Sequence, residues 1–135
     1  LEKEAATCAS LAEAAMANGK TAVVYTSRTV IDLSDQTPEQ LLAISVRISD
    51  ALTSVVSRLA KRPRFLIAKG GITSSDVGTI ALAVKKARVL GQVQPGIPVW
   101  KIGEESRFPG MSYIIFPGNV GDEDTLRKIV EVLNR

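Results

Sequence analysis

The sequence predicts an α/β fold, with a mixed, largely parallel sheet covered by helices in a single domain over residues 1–135. Three observations lead there. Short β-branched, apolar runs alternate with longer segments of helical periodicity, the order of strands joined by helices. A length of 135 residues fits one domain, able to bury about two thirds of its unfolded surface without disulfides or a structural metal. The second half sets its apolar runs close together between Gly- and Pro-bearing turns, which calls for an antiparallel part of the sheet.

The elements follow in order. Glu2 to Asn18 is rich in Ala, Leu and Glu, strong helix formers, and Asn18-Gly19 is a helix stop. Thr21 to Thr26 (TAVVYT) reads as a buried strand, and Ser27 to Gln36 as a polar loop. Thr37-Pro38-Glu39-Gln40 opens a long helix: Thr37 caps it, Pro38 suits the first helical position and Gln40 completes a capping box. Leu41, Ile44, Ile48, Leu52, Val55 and Leu59 form a helical stripe, so one face is expected to pack on the sheet. Lys61-Arg62 before Pro63 suits the negative end of the helix dipole.

Phe65 to Ala68 (FLIA) is the next strand and runs into KGGITSSD. Val77 to Lys86 reads as a helix weakened by Gly78 and Thr79, and Ala87 to Val93 as a strand broken at Gly91. Gln94 to Pro98 is turn chemistry, Val99 to Ile102 a short strand, and Gly103 to Gly110 a polar loop. Tyr113 to Phe116 (YIIF) is a strand followed by Pro117-Gly118-Asn119-Val120-Gly121. Asp122-Glu123-Asp124 opens a last helix to about Leu133, with Leu126, Ile129, Val130 and Leu133 on one face.

Composition narrows the function. With 45% apolar and 23% charged residues the chain is neither disordered nor extreme. It has no histidine, which removes the imidazole base, the Ser-His-Asp triad and most catalytic zinc sites. The single cysteine, Cys8, forbids an internal disulfide and fits a reducing, cytoplasmic setting; on its Ala-rich helix it reads as a packing residue. No apolar run approaches the ~18 residues of a membrane span, and no signal peptide is visible. A net charge of +3 is a weak pull on anions, and 4% aromatics is too little for a base-stacking platform, so neither nucleic acid nor membrane is expected as a partner. The start at Leu1 leads us to expect a piece of a longer protein.

Two segments share one design: an apolar strand, a glycine-bearing loop and a helix start. They are FLIA-KGGITSSD-V and YIIF-PGNVGDED-T. In parallel α/β sheets ligands bind beyond the carboxyl ends of strands. Glycines let the backbone come close to a ligand, and a helix start offers free N–H groups. Loops 69–76 and 117–122, side by side, would cradle a polyphosphate, with Lys69 reaching it by its ammonium. The candidate residues are Lys69, Gly70, Gly71, Ile72, Thr73, Ser74, Gly118, Asn119 and Gly121. Each loop taken singly also reads as a plain turn with a capped helix, and Asp122, Glu123 and Asp124 as complements to a helix dipole; no metal site is read. Arg28 and Asp32, in a post-strand loop, could face the same cleft but read first as surface-loop residues, and Trp100 as core or an interface anchor. Neither GxxxxGK[ST] nor GxGxxG occurs, and Lys69 precedes its glycines.

From Phe65 to Leu133 the chain resembles the C-terminal nucleotide-binding domain of the four-carbon acid sugar kinase family, also called DUF1537. KGGITSSDV, GQVQPGIPVW and PGNVGDEDTL each resemble a family signature, in order and at the family's separations. The resemblance implies a kinase that uses ATP and Mg²⁺ to phosphorylate threonate, erythronate or 3-oxo-tetronate-like acids. It implies an N-terminal acid-sugar-binding domain of the same chain as partner, and Gly70, Gly71, Ile72, Thr73 and Gly118 at the nucleotide. The catalytic base would lie in that other domain, so no catalytic residue is named, and residues 1–135 alone are expected to be inactive. Members often carry Lys-Ser where this chain has Phe116-Pro117, lack a lysine before the first Gly-Gly, and have glutamate at Gln92. Lys69 is therefore expected to take over a phosphate contact from the opposite loop, and a carboxylate role in Mg²⁺ binding at position 92 is lost. Two other readings stay open: a non-catalytic module that senses a nucleotide or anion, and a purely structural domain. The substrate acid and the oligomeric state, with a homo-oligomer possible, are not written in these residues.

Overall fold

The protein is described here by a computed structural model over residues 1–29 and 31–135. It divides into two compact units, residues 1–61 and 62–135, each built on its own hydrophobic contacts.

The first unit holds two helices, α1 (Glu2–Ala17) and α2 (Pro38–Ser57). The expected capping box is present at the start of α2: the Gln40 amide donates to the Thr37 hydroxyl at 3.3 Å, and the Thr37 amide to the Gln40 side chain at 2.8 Å. Ala5 and Ala9 of α1 pack with Val55 of α2, and Cys8 lies against them, which fits a packing cysteine. Across the pair Arg58 meets Glu2 at 3.2 Å, and the Glu13 carboxylate accepts from the Lys61 amide at 3.2 Å. The expected stripe therefore buries only its C-terminal part, at Val55 and Leu59, while its earlier members Leu41 and Ile48 are exposed.

Thr21 to Thr26 corrects an expectation. The segment is not part of the sheet found among the described residues, and Val23 and Tyr25 are 65% and 75% exposed. A β-branched run favours extended backbone, but a strand also needs a neighbouring edge to pair with, and propensity does not supply one. Asp32 serves its own turn, its carboxylate accepting from the Ser34 amide at 3.0 Å.

The second unit carries the sheet. Its strands are β1 (Phe65–Lys69), β2 (Ala87–Gln94), β3 (Ile97–Ile102) and β4 (Ser112–Phe116), in the order β1-β4-β3-β2. β1 and β4 are parallel; β4–β3 and β3–β2 are antiparallel. The α/β class and the mixed sheet agree with the sequence reading, but the parallel share is one pairing of three. The reason is the connections: Pro95-Gly96 closes a hairpin and residues 103–111 hold no helix, and neither can make a parallel crossover. β2 also runs through the expected break, its register slipping between Val89 and Gly91.

Alternation along β4 covers two faces. Ile114 and Phe116 are buried with Ile97 and with Ile129 of α4 (Thr125–Leu133). Tyr113 points the other way, onto a helical segment made of α3 (Gly71–Asp76) and a π turn over Val77–Ala81. That helix begins earlier and ends earlier than the expected 77–86. Its start is set by Gly70, and its end by the widened turn, where the Leu82 amide bonds the Val77 carbonyl. The Tyr113 hydroxyl reaches into this helix, donating to the Ser74 carbonyl at 2.5 Å. A Cβ on Gly78 would stand 3.2 Å from the Tyr113 ring, so glycine lets the ring lie against the helix.

Candidate functional site

The site grows out of one pairing. β1 and β4 are neighbours and parallel, and Lys69 sits opposite Phe116 at their carboxyl ends. The loops that follow, which the sequence marks as glycine-bearing, therefore leave from adjacent positions at the same end of the sheet. The Gly70 amide extends the ladder by one bond, to the Phe116 carbonyl at 2.9 Å. Beyond it the backbones stay close: a Cβ on Gly118 would lie 3.9 Å from the Gly70 Cα.

Lys69 joins the two loops. Its ammonium donates to the Gly118 carbonyl at 3.3 Å and lies 4.6 Å from the centre of the Phe116 ring. An ammonium over a ring face is held by the ring quadrupole. Phe116 thus serves as a rest for the opposite loop's charge.

Gly70 has φ +104° and ψ 145°, a backbone that L side chains rarely adopt. It turns the chain from strand to helix in a single residue. Gly71 has open space where a Cβ would stand, Ile72 is 73% exposed, and Thr73 is half-buried with its hydroxyl near Gly70. Ser74 is different. It is 5% exposed, and its hydroxyl donates to the Gly70 carbonyl, with the Ala68 carbonyl 3.4 Å away. Its side chain braces the loop from behind.

On the second loop Gly118 and Asn119 are exposed. Gly121 has φ +84°, and a Cβ there would collide with Thr125 at 2.9 Å. Asp122 stands just ahead of α4, in the turn that leads into it. Its carboxylate accepts from the Asp124 amide at 2.9 Å and the Thr125 hydroxyl at 3.0 Å. Those bonds, the Thr125 hydroxyl first, and the charge of Lys128 hold its carboxyl below the usual aspartate range. The acidic run after Gly121 is thus tied to a helix start.

A third motif arrives at the same end. The Gly96 turn of the β2–β3 hairpin approaches the second loop: a Cβ on Gly96 would stand 3.8 Å from the Val120 side chain. Gln92 closes that turn by accepting from the Gly96 amide at 3.0 Å. The motifs around Gly70, Gly96 and Gly118 lie far apart in sequence and together at one sheet end. Sequence reasoning missed Tyr113 and Phe116 as contributors. Both looked like strand core, and only the cross-strand register reveals what their far ends touch.

Comparison with known proteins adds the family. The sequence profile described as the nucleotide-binding C-terminal domain matches residues 1–126. No curated protein matches. Among solved structures, the chain is similar to a domain of unknown function (DUF1537) from Bordetella bronchiseptica, a domain-swapped dimer with bound citrate. The identity is 17% and the TM-score 0.60, over 95% of this chain and 37% of that one. It is also similar to a Salmonella typhimurium LT2 protein provisionally described as a tRNA synthase, with 20% identity and a TM-score of 0.61, over 95% of this chain and 30% of that one. At these identities the likeness concerns the fold, and this chain spans about a third of those proteins' length.

Proposed function

The chain belongs to the family of nucleotide-binding C-terminal domains, and from that premise we propose that it holds the phosphates of ATP for a kinase acting on four-carbon sugar acids. The observation that carries the reading is the convergence of two glycine loops at the ends of adjacent parallel strands, with Lys69 between them. Close backbone approach and a fixed cation are what a polyphosphate requires.

In this reading Gly70, Gly71, Ile72 and Thr73 line one side of the phosphates, and Gly118, Asn119 and Gly121 the other. Lys69 exchanges its bond to the Gly118 carbonyl for a charge-assisted bond to a phosphate oxygen. Ser74 keeps the first loop in shape. Mg²⁺ accompanies the nucleotide and neutralises phosphate charge. Among the described residues no group of three metal-ligating side chains gathers, and the Asp122 carboxylate is engaged by Asp124 and Thr125, so the ion would be held mainly by the phosphates and water.

The proton acceptor for the sugar-acid hydroxyl belongs, in this proposal, to an N-terminal acid-sugar-binding domain of the same polypeptide. The family resemblance of KGGITSSDV, GQVQPGIPVW and PGNVGDEDTL supports that arrangement and the substrate class. Pairing with a second copy is part of the same reading, supported by the swapped dimer of the Bordetella relative. A cytoplasmic setting fits the single free Cys8. No helix among the described residues is long and apolar enough to cross a membrane.

The test is ADP release by the full-length protein, coupled to an indicator reaction, against a panel of four-carbon acids. Acid-dependent release supports the kinase. ATP-induced stabilisation without release for any acid would instead favour a nucleotide-sensing module.

A further inference from the structure

We infer that Tyr113 is a positioning residue for the phosphate loop, fixing the conformation of Gly70 from the core through Ser74. This rests on the nucleotide reading above and names the group that shapes its cradle.

The connection is a chain of hydrogen bonds from the buried Tyr113 and Ser74 to the half-buried Gly70. Tyr113 is 1% exposed on β4, and its hydroxyl donates to the Ser74 carbonyl at 2.5 Å. Ser74 in turn grips the Gly70 carbonyl twice, by its amide at 2.9 Å and by its hydroxyl. The Gly70 amide is tied to the Phe116 carbonyl at 2.9 Å. Both peptide groups flanking Gly70 are therefore fixed, one to β4 and one to α3.

The consequence lies in the next amide. In a trans peptide the C=O and N–H point in opposite directions. Because the Gly70 carbonyl is drawn toward Ser74 in α3, the Gly71 N–H is turned out of the helix. That is the orientation a phosphate oxygen needs. Tyr113 touches no ligand; it holds Ser74, which holds the Gly70 carbonyl, which aims the Gly71 amide.

A merely structural tyrosine would affect stability alone. A positioning tyrosine affects recognition of phosphate and leaves recognition of the nucleoside unchanged. The experiment is calorimetric titration of the full-length protein with ATP, tripolyphosphate and adenosine, at a temperature where circular dichroism shows every variant folded. Tyr113→Phe is expected to weaken ATP and tripolyphosphate about five- to tenfold, the scale of one hydrogen bond, with adenosine unchanged. Ser74→Ala, which removes the hydroxyl grip on Gly70, is expected to give the same pattern and serves if Tyr113→Phe does not fold. Folded variants with unchanged affinity for both phosphate ligands overturn the inference, as does an equal loss for adenosine. Wild-type protein that binds neither ATP nor tripolyphosphate overturns the nucleotide reading itself, and this inference with it.

Discussion

The Lys69 ammonium donates to the Gly118 carbonyl at 3.3 Å, across two loops 49 residues apart in sequence. The bond places a cation over the seam between the loops, with that ammonium 4.6 Å from the centre of the Phe116 ring. Lys69→Ala in the full-length protein is expected to weaken ATP about tenfold or more, the scale of a charge-assisted bond. The loss should shrink at high salt, as screening predicts. An unchanged dissociation constant would remove Lys69 from the phosphate site.

Gly121 has φ +84° and no room for a methyl group beside Thr125. Gly121→Ala is expected to destabilise the protein by about 1–3 kcal/mol, since it adds both backbone strain and a clash. Urea denaturation reads this as a lower midpoint with the same slope.

Asp122 gives a pH signature. Its carboxyl is held below the usual range by Thr125, Asp124 and Lys128. A lowered folded-state pKa stabilises the protein above the unfolded value, about 4, and that stabilisation is lost as pH falls through the folded value. The stability difference between wild type and Asp122→Ala should therefore be largest near neutrality and narrow on acidification below about pH 4. A difference that grows toward acid would contradict the assignment.

The Thr37–Gln40 capping box fixes the start of α2. Thr37→Ala is expected to cost about 1 kcal/mol, measured by thermal unfolding, and Thr37→Ser much less, because the hydroxyl acceptor is kept.

What can be read from the sequence is local. Thr37, Pro38 and Gln40 announce a helix start because capping is settled within four residues. FLIA and YIIF announce strands ending in glycine loops because β-branched and aromatic runs and left-handed glycines carry their own signals. What cannot be read is the pairing of distant segments. TAVVYT has the residues of a strand, yet lies outside the sheet, since no local pattern encodes a neighbouring edge. Val77 to Lys86 carries a helical pattern, but the bond from Tyr113 to Ser74 lies beneath the widened turn, and a tyrosine in a strand gives no sign of which helix its hydroxyl will enter. The order of the elements makes the adjacency of Gly70 and Gly118 an expectation; the parallel register of β1 and β4 supplies it.

The phosphate-cradle reading stands most directly on where ATP meets this chain. Amide chemical shifts of isotope-labelled full-length protein, followed as ATP is added, report that location. The largest changes are predicted at Gly70 to Thr73 and at Gly118 to Gly121, appearing together at one binding constant. Changes confined to other parts of the chain, or in only one of the two loops, would contradict it.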